Sequence, residues 1–480
     1  MTDSKKKFYI TTSIPYVNAK PHIGFALELA QADTIARFHH LSGEDVFFLT
    51  GTDEHGSKVP KAAEQAGKKI PDFVNEISDK FRALTRTLDI SNSHFIRTIE
   101  QGHKNTVQKF WEKAKANGDI YKSRYEGLYC IGCEKYVTES ELVNGKCAIH
   151  GTIPEKLSEE NYFFKLSKYQ KPLEEYFKKH KDFVRPQKRF NEILAFIAEG
   201  LTDISISRSK KTLSWGIPVP DDQEQIIYIW FDALINYLSG IGYYEEDGTF
   251  KKFWPADIHL VGKDIVRFHA ALWPAMLMSA GIELPKQILV HGFINVDGKK
   301  MSKSSGSVID PEELVKKYGV DAVRYYLLRE IPSGEDGDFT LEKFERRYSA
   351  DLANDLGNLV SRVTNLIEKN ANGLIPEIVE SPKTAENLEK HITEFRLHDA
   401  LAEIWENISW ANQFVDKSKL WELPKKDPKL FEQAISSLAA LLKQVSLELA
   451  PFLPETASKI DKILSADHIK KAEPLFPRIP

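Results

Sequence analysis

The spacing of hydrophobic and polar positions changes several times along the chain. FYITTSIP, residues 8 to 15, reads as a short β-rich strand, and ALELAQADTIARF beyond it has apolar residues at three- and four-residue spacing, so PHIG between them caps a strand-to-helix turn. DVFFLT, residues 45 to 50, is a second strand that runs into the charged loop GTDEHG at 51 to 56. Strand and helix patterns return in IIYIWFDALINYL (226 to 238), IHLVGKDIVRFHAALWPAML (258 to 277) and QILVHGFINVDGKKMSKSSG (287 to 306). After about residue 350 the pattern is helical to the end. In DLANDLGNLVSRVTNLI, wound at 3.6 residues per turn, Leu352, Leu356, Leu359, Val363 and Leu366 share one side and Asn354, Asn358, Arg362 and Asn365 the other.

Strands alternating with helices predict an α/β fold, and the last third predicts an all-helical domain. The stretch from 119 to 225 is richer in Tyr, Lys and turn residues and reads as an insertion between two halves of one parallel sheet. In such a sheet ligands lie outside the carboxyl ends of the strands, so the loops after the first two strands point at one crevice. The helix start at PHIG favours an anion through its free N–H groups, and Gly24 removes a side chain that would hold a ligand away. The loop DGKKMSKSSG supplies Lys299, Lys300 and Lys303 among small residues and hydroxyls, a set able to follow a polyphosphate. Alone, such a run is an ordinary solvated loop.

At 480 residues with 42% hydrophobic content, the chain should hold two or more domains with ordinary cores. No apolar run approaches membrane-spanning length and the start carries no secretory pattern, so no membrane partner is expected and the expected compartment is the cytoplasm. A net charge of −4 excludes a wholly basic nucleic-acid coat but leaves room for local RNA-binding patches. The three cysteines cluster as Cys130-x2-Cys133 and Cys147-x2-His150, two pairs matching the four ligands of a closed structural Zn²⁺ knuckle.

PHIG followed far downstream by KMSKS resembles the class I aminoacyl-tRNA synthetases, whose two signature loops hold ATP during amino-acid activation. TTSIPYVNAKPHIG, FLTGTDEHG, the cysteine pairs, SISRSKKTLSWGIPVP, WFDALINY, VGKDIVRFH and HGFINVDGKKMSKS, in that order, make it similar to the methionyl-tRNA synthetases over nearly its whole length. Valyl, leucyl and isoleucyl synthetases carry an editing domain for which the interval from His22 to Lys300 leaves no room, and in cysteinyl synthetases the metal ligands are dispersed.

The resemblance implies a Rossmann-type parallel sheet split by a zinc-binding insertion and followed by an all-α anticodon-binding domain. The expected divisions are a first catalytic half at 1–118, the zinc insertion at 119–225, a second catalytic half at 226–298, a KMSKS and stem-contact region at 299–350 and the helical domain at 351–480. The implied reaction joins L-methionine to ATP, releases pyrophosphate, and passes the methionyl group to the 3′ end of tRNA(Met) bearing CAU. His22, Lys300 and Lys303 are the implied catalytic residues, and these with Gly24 and Mg²⁺ hold ATP. The implied methionine pocket is Ser13, Ile14, Tyr16, Asp53, Trp230, Ala233, Tyr237, Ile265, His269 and Trp273, in which sulfur packs near rings and Asp53 holds the α-ammonium. Read without the family, the large rings are core aromatics. Asn358, Arg362 and Trp421 match anticodon-binding positions.

Two departures stand out. Phe25 replaces the second histidine of the HIGH signature, which leaves either an active enzyme with one fewer polar contact or a catalytically weakened tRNA-binding or regulatory relative. Leu420 stands where a proline often precedes the anticodon tryptophan. The ending PLFPRIP resembles that of short family members without an appended dimerisation module, which implies a monomer.

Overall fold

The computed structural model describes residues 5–130, 135–137, 139, 142–148, 151–245, 248–296, 298–300, 309–376 and 384–478. Strand β1 (Lys7–Thr12) leads into helix α1 (Ile23–Leu41), β2 (Asp45–Thr52), α2 (Lys58–Gln65), α3 (Ile70–Thr87), β3 (His94–Arg97) and α4 (Gln101–Ala116). The main sheet has the order β3, β2, β1, Ile258–Gly262, Gln287–His291, Val184–Arg185, with every neighbouring pair parallel. Successive residues of β1 serve opposite faces: Phe8 and Ile10 join one core and Tyr9 the other. Both faces are covered, as a parallel sheet requires. β1 sits between β2 and Ile258–Gly262, so the strand order turns around at β1 and opens a crevice beyond the carboxyl ends.

The expected insertion, 119–225, divides on folding. Strand β4 (Ile120–Cys130) pairs antiparallel with Glu155–Phe164 to form a ribbon reaching the cysteine region. Val184–Arg185, in the middle of the same stretch, returns to the main sheet as its edge strand. The strand Asp222–Ile227 joins a separate antiparallel sheet with Ser207–Ser209 and Pro218–Val219, so IIYIWFDALINYL contributes no strand to the parallel sheet.

A third small sheet sets Ile294–Val296 between Lys299–Lys300, antiparallel, and Gly337–Phe339, parallel. The tail is helical as expected, but its entry winds as a π-helix over Tyr348–Gly357 before α-helical geometry at Asn358–Asn370. Leu352, Leu356, Leu359, Val363 and Leu366 are buried there, while Asn354 and Asn358 are exposed.

The fully buried Arg324, on the helix Val320–Arg329, joins the two parts of the chain. Its guanidinium pairs with Asp33 of α1 at 2.7 Å and donates to the carbonyls of Leu88, Pro451 and Phe452 at 3.1, 3.2 and 2.8 Å. Among the described residues no helix is long and apolar enough to cross a membrane.

Candidate active site

The loops after β1, β2, Ile258–Gly262 and Gln287–His291 enclose one cleft of about 2160 Å³, room for a nucleotide beside an amino acid. His22 is the N-cap of α1, in extended backbone geometry, and its Nδ1 accepts the Gly24 N–H at 3.1 Å. That bond fixes Nδ1 as the unprotonated nitrogen and leaves Nε2–H free to donate. Desolvation lowers the His22 pKa, which favours this neutral donor form. The N–H of Ile23 donates to the carbonyl of Ile309 at 3.3 Å, so the chain leaving the lysine-rich loop meets the start of α1. Lys299–Lys300 leads into that segment from the other end. The side chain of Lys300 and all of Lys303 lie outside the described residues.

Glu28, six residues along α1 from His22, is buried and organises the floor. Its Oε1 accepts the N–H and hydroxyl of Ser13 at 2.6 and 2.7 Å, and its Oε2 faces His291 Nε2 at 2.8 Å. His291 donates through Nδ1 to the Gly292 carbonyl at 2.8 Å. Burial alone would lower the His291 pKa, but the bond to Glu28 outweighs it and raises the pKa, giving an ion pair. Sequence reasoning missed Glu28 and His291, although an acidic residue inside the apolar run ALELA is a readable sign of a buried site.

Beside this floor is an aromatic pocket. Ser13, Ile14, Tyr16, Asp53, Trp230, Ala233, Tyr237, Ile265 and His269 all line the cleft. Tyr16 and Asp53 are joined by a parallel bridge, with Val17 N–H to Asp53 O at 3.1 Å and Asp53 N–H to Pro15 O at 2.9 Å. The Trp230 ring stacks on Phe268 at 3.9 Å. His269 lies in a π-helical turn, Phe268–Leu272, a geometry that occurs often at functional sites. Its Nδ1–H donates to the Ile265 carbonyl at 3.0 Å, so Nε2 accepts the Tyr237 hydroxyl at 2.7 Å. Burial pushes the His269 pKa down to about 4, consistent with a neutral ring.

Trp273 differs from the expectation and lies behind the wall, fully buried. It donates Nε1–H to His259 at 3.3 Å, and the His259 ring stacks on Tyr237 at 4.2 Å. Its indole N–H is thus already committed within the core, and it supports the pocket through His259 and through its ring contact with Tyr237 at 5.9 Å. Arg208 and Asp264, which sequence reasoning did not single out, also line the cleft. Arg208 is held by Ser205 Oγ at 2.7 Å and the Ser207 carbonyl at 2.6 Å.

Sequence similarity decides the family. The family described as tRNA synthetases class I (M) matches residues 8–142 and 133–364. The methionine–tRNA ligase of Caldanaerobacter subterraneus subsp. tengcongensis is 44% identical over 99% of this chain and 79% of its own length, and that of Thermotoga maritima 46% over 98% and 77%. The chain belongs to the methionyl-tRNA synthetase family. Among solved structures of the family, Mycobacterium tuberculosis methionyl-tRNA synthetase in complex with methionyl-adenylate superposes with a TM-score of 0.92 at 39% identity, covering 98% of this chain and 100% of that one. The apo form of that synthetase gives 0.85 at 36% identity, covering 100% and 99%.

Phe25, the departure from the methionyl-tRNA synthetase signature, is nearly buried and meets Phe81 of α3 edge-on at 5.4 Å, with both rings on the cleft wall. The apolar ring therefore has an apolar partner. Of the expected zinc ligands, Cys130 and Cys147 are both buried in one small cluster with Val137, apart from the two main cores. The turn after Cys147 closes through Gly151 N–H to Cys147 O at 2.8 Å. Cys133 and His150 lie outside the described residues, and among the described residues no three potential ligands gather. In the tail, Asn358 is exposed, Arg362 pairs with Asp416, and Trp421, five residues beyond Asp416, is 51% exposed.

Proposed function

We infer that the chain activates L-methionine with ATP to methionyl-adenylate and then transfers the methionyl group to the 3′ end of tRNA(Met), releasing pyrophosphate and AMP. It is an aminoacyl-tRNA synthetase. The observation that carries this reading is the meeting of α1 with the end of the lysine-rich segment, Ile23 to Ile309, on the cleft that also contains the Trp230, Tyr237 and His269 pocket.

The chemistry needs positioning and charge neutralisation more than a protein nucleophile. Asp53 holds the α-ammonium, the aromatic wall takes the thioether, and the methionine carboxylate faces the α-phosphate. His22 donates Nε2–H to phosphate oxygens, the start of α1 adds its N–H groups, and Lys300 and Lys303 follow charge onto pyrophosphate. Mg²⁺ accompanies ATP and neutralises phosphate charge. Cys130, Cys133, Cys147 and His150 would hold a structural Zn²⁺, which ties the insertion together without an open position for water. The burial of two of these cysteines in one cluster fits that donor set.

In the tail, Asn358 and Arg362 bond unpaired base edges and Trp421 stacks on a base of the CAU anticodon. The enzyme acts as a cytoplasmic monomer. A weakened regulatory relative is not favoured, because the rest of the pocket is intact and Phe25 sits against Phe81. Methionine-dependent ATP–pyrophosphate exchange, followed by charging of a CAU-bearing tRNA and an anticodon variant, tests the whole reading. Exchange without methionine dependence, or equal charging of both tRNAs, would overturn the corresponding half.

A further inference from the structure

One buried carboxylate next to the pocket has no part in the chemistry above. Asp232 is fully enclosed and lies on the helix Ile229–Leu234, between Trp230 and Ala233, both of which line the cleft. Its Oδ2 accepts from His55 Nδ1 at 2.7 Å and its Oδ1 from His103 Nε2 at 2.7 Å. The other nitrogen of His103 meets Ser239 Oγ at 2.7 Å. Burial would raise the Asp232 pKa, but the two imidazoles outweigh it and hold it at about 2, so the group is a carboxylate.

The three residues come from three separate parts of the fold. His55 belongs to the loop after β2, two residues beyond Asp53, and its N–H lies 3.4 Å from Asp53 Oδ1. His103 belongs to α4, on the far side of the wall. Asp232 belongs to the helix that presents Trp230. The neighbouring side chain in the same loop, Glu54, is buried and pinned by Arg97 at 2.6 Å through both oxygens. The loop is therefore fixed through Glu54 and again through His55.

A buried charge is weak evidence for stability, so what this one supplies is sought in geometry. Charge-assisted bonds to two rings fix both the distance and the rotation of the elements they join. We propose that the His55–Asp232–His103 bridge is a positioning device that sets the spacing between the Asp53 carboxylate and the Trp230–Ala233 wall, and thereby the affinity for the amino acid, leaving the nucleotide half of the cleft alone. The inference rests on the methionine-activating reading of this cleft. Asp53 and Trp230 act on opposite ends of one small substrate, so a sub-ångström change in their separation weakens binding of that substrate selectively.

The test is steady-state ATP–pyrophosphate exchange with methionine and ATP varied separately, on the unaltered chain and on Asp232→Asn, together with calorimetric titration of methionine. Asp232→Asn keeps the shape but lets only one oxygen accept; it is expected to raise the methionine KM and Kd by about tenfold or more, with the ATP KM within about twofold. His103→Gln retains a donor toward Asp232 and is expected to stay within about threefold for methionine, whereas His103→Leu reproduces the Asp232→Asn split. If Asp232→Asn does not fold, the His103 pair decides. Equal rises in both KM values, or a lowered melting temperature with both KM values unchanged, would overturn the positioning role. Absence of exchange by the unaltered chain would instead overturn the activity reading beneath it.

Discussion

The backbone N–H of Ile23 reaches the carbonyl of Ile309 at 3.3 Å, and this bond delivers the end of the second signature segment to the N-terminus of α1. The segment that ends there carries Lys303. Lys303→Ala is expected to lower the exchange rate about a hundredfold to a thousandfold, the scale of one lost transition-state donor, with methionine affinity unchanged by calorimetry. Equal loss of methionine binding would place Lys303 elsewhere.

Phe25 packs edge-on against Phe81 inside the first core. An imidazole introduced there faces an apolar ring and loses the edge-on contact, so Phe25→His is expected to cost about 1–3 kcal/mol of stability in denaturant titration. Exchange activity should stay within about threefold of the unaltered chain, far from the effect of a restored donor. A large gain in rate would show that the signature's second histidine is still missed.

Tyr237 donates its hydroxyl to His269 Nε2, and His269 spends its own N–H on Ile265. Neither ring of this pair offers a spare donor to a thioether in this arrangement. Tyr237→Phe orphans the His269 acceptor at a cost of about 1–2 kcal/mol, and the methionine KM should rise about fivefold to thirtyfold while the ATP KM holds. Parallel shifts in both constants would remove this pair from the amino-acid half.

Burial holds the His269 pKa at about 4 against an ordinary 6.5. Because the folded value is depressed, the unfolded chain binds the extra proton first as pH falls, and stability drops from pH 6.5 toward about 4. The contribution of this one ring is up to about 3 kcal/mol. Melting of His269→Gln across that window should show a shallower acid slope than the unaltered chain, and an unchanged slope would contradict it.

Trp421 stands 51% exposed beyond the helix that carries Asp416, the partner of Arg362. Trp421→Ala is expected to reduce charging of a CAU-bearing tRNA about fivefold to a hundredfold, the equivalent of one base stack, while tRNA-independent exchange continues. Loss of both activities together would assign Trp421 a structural role.

Local signals carried most of the fold into view. The period change around residues 8 to 38 locates β1 and α1, and the apolar face of 351–367 locates the core side of the tail. Val184–Arg185 was illegible because two residues carry no periodicity; only pairing with Leu289 and Ile288 makes them a strand. Trp273 looked like a pocket ring, since sequence does not reveal that His259 takes its N–H. Glu28 and His291 are separated by 263 positions, and Asp232 and His55 by 177, so their pairing is a product of the tertiary fold.

Arg324 spends its guanidinium on Asp33 and Leu88 from one side and on Pro451 and Phe452 from the other. Cutting the helical tail away would strand that cation without half its acceptors and uncover the helix Val320–Arg329 that carries it. The catalytic half is consequently no free-standing reagent, and a shortened version meant only for amino-acid activation needs an apolar replacement at Arg324, matched at Asp33, before it can be handled on its own.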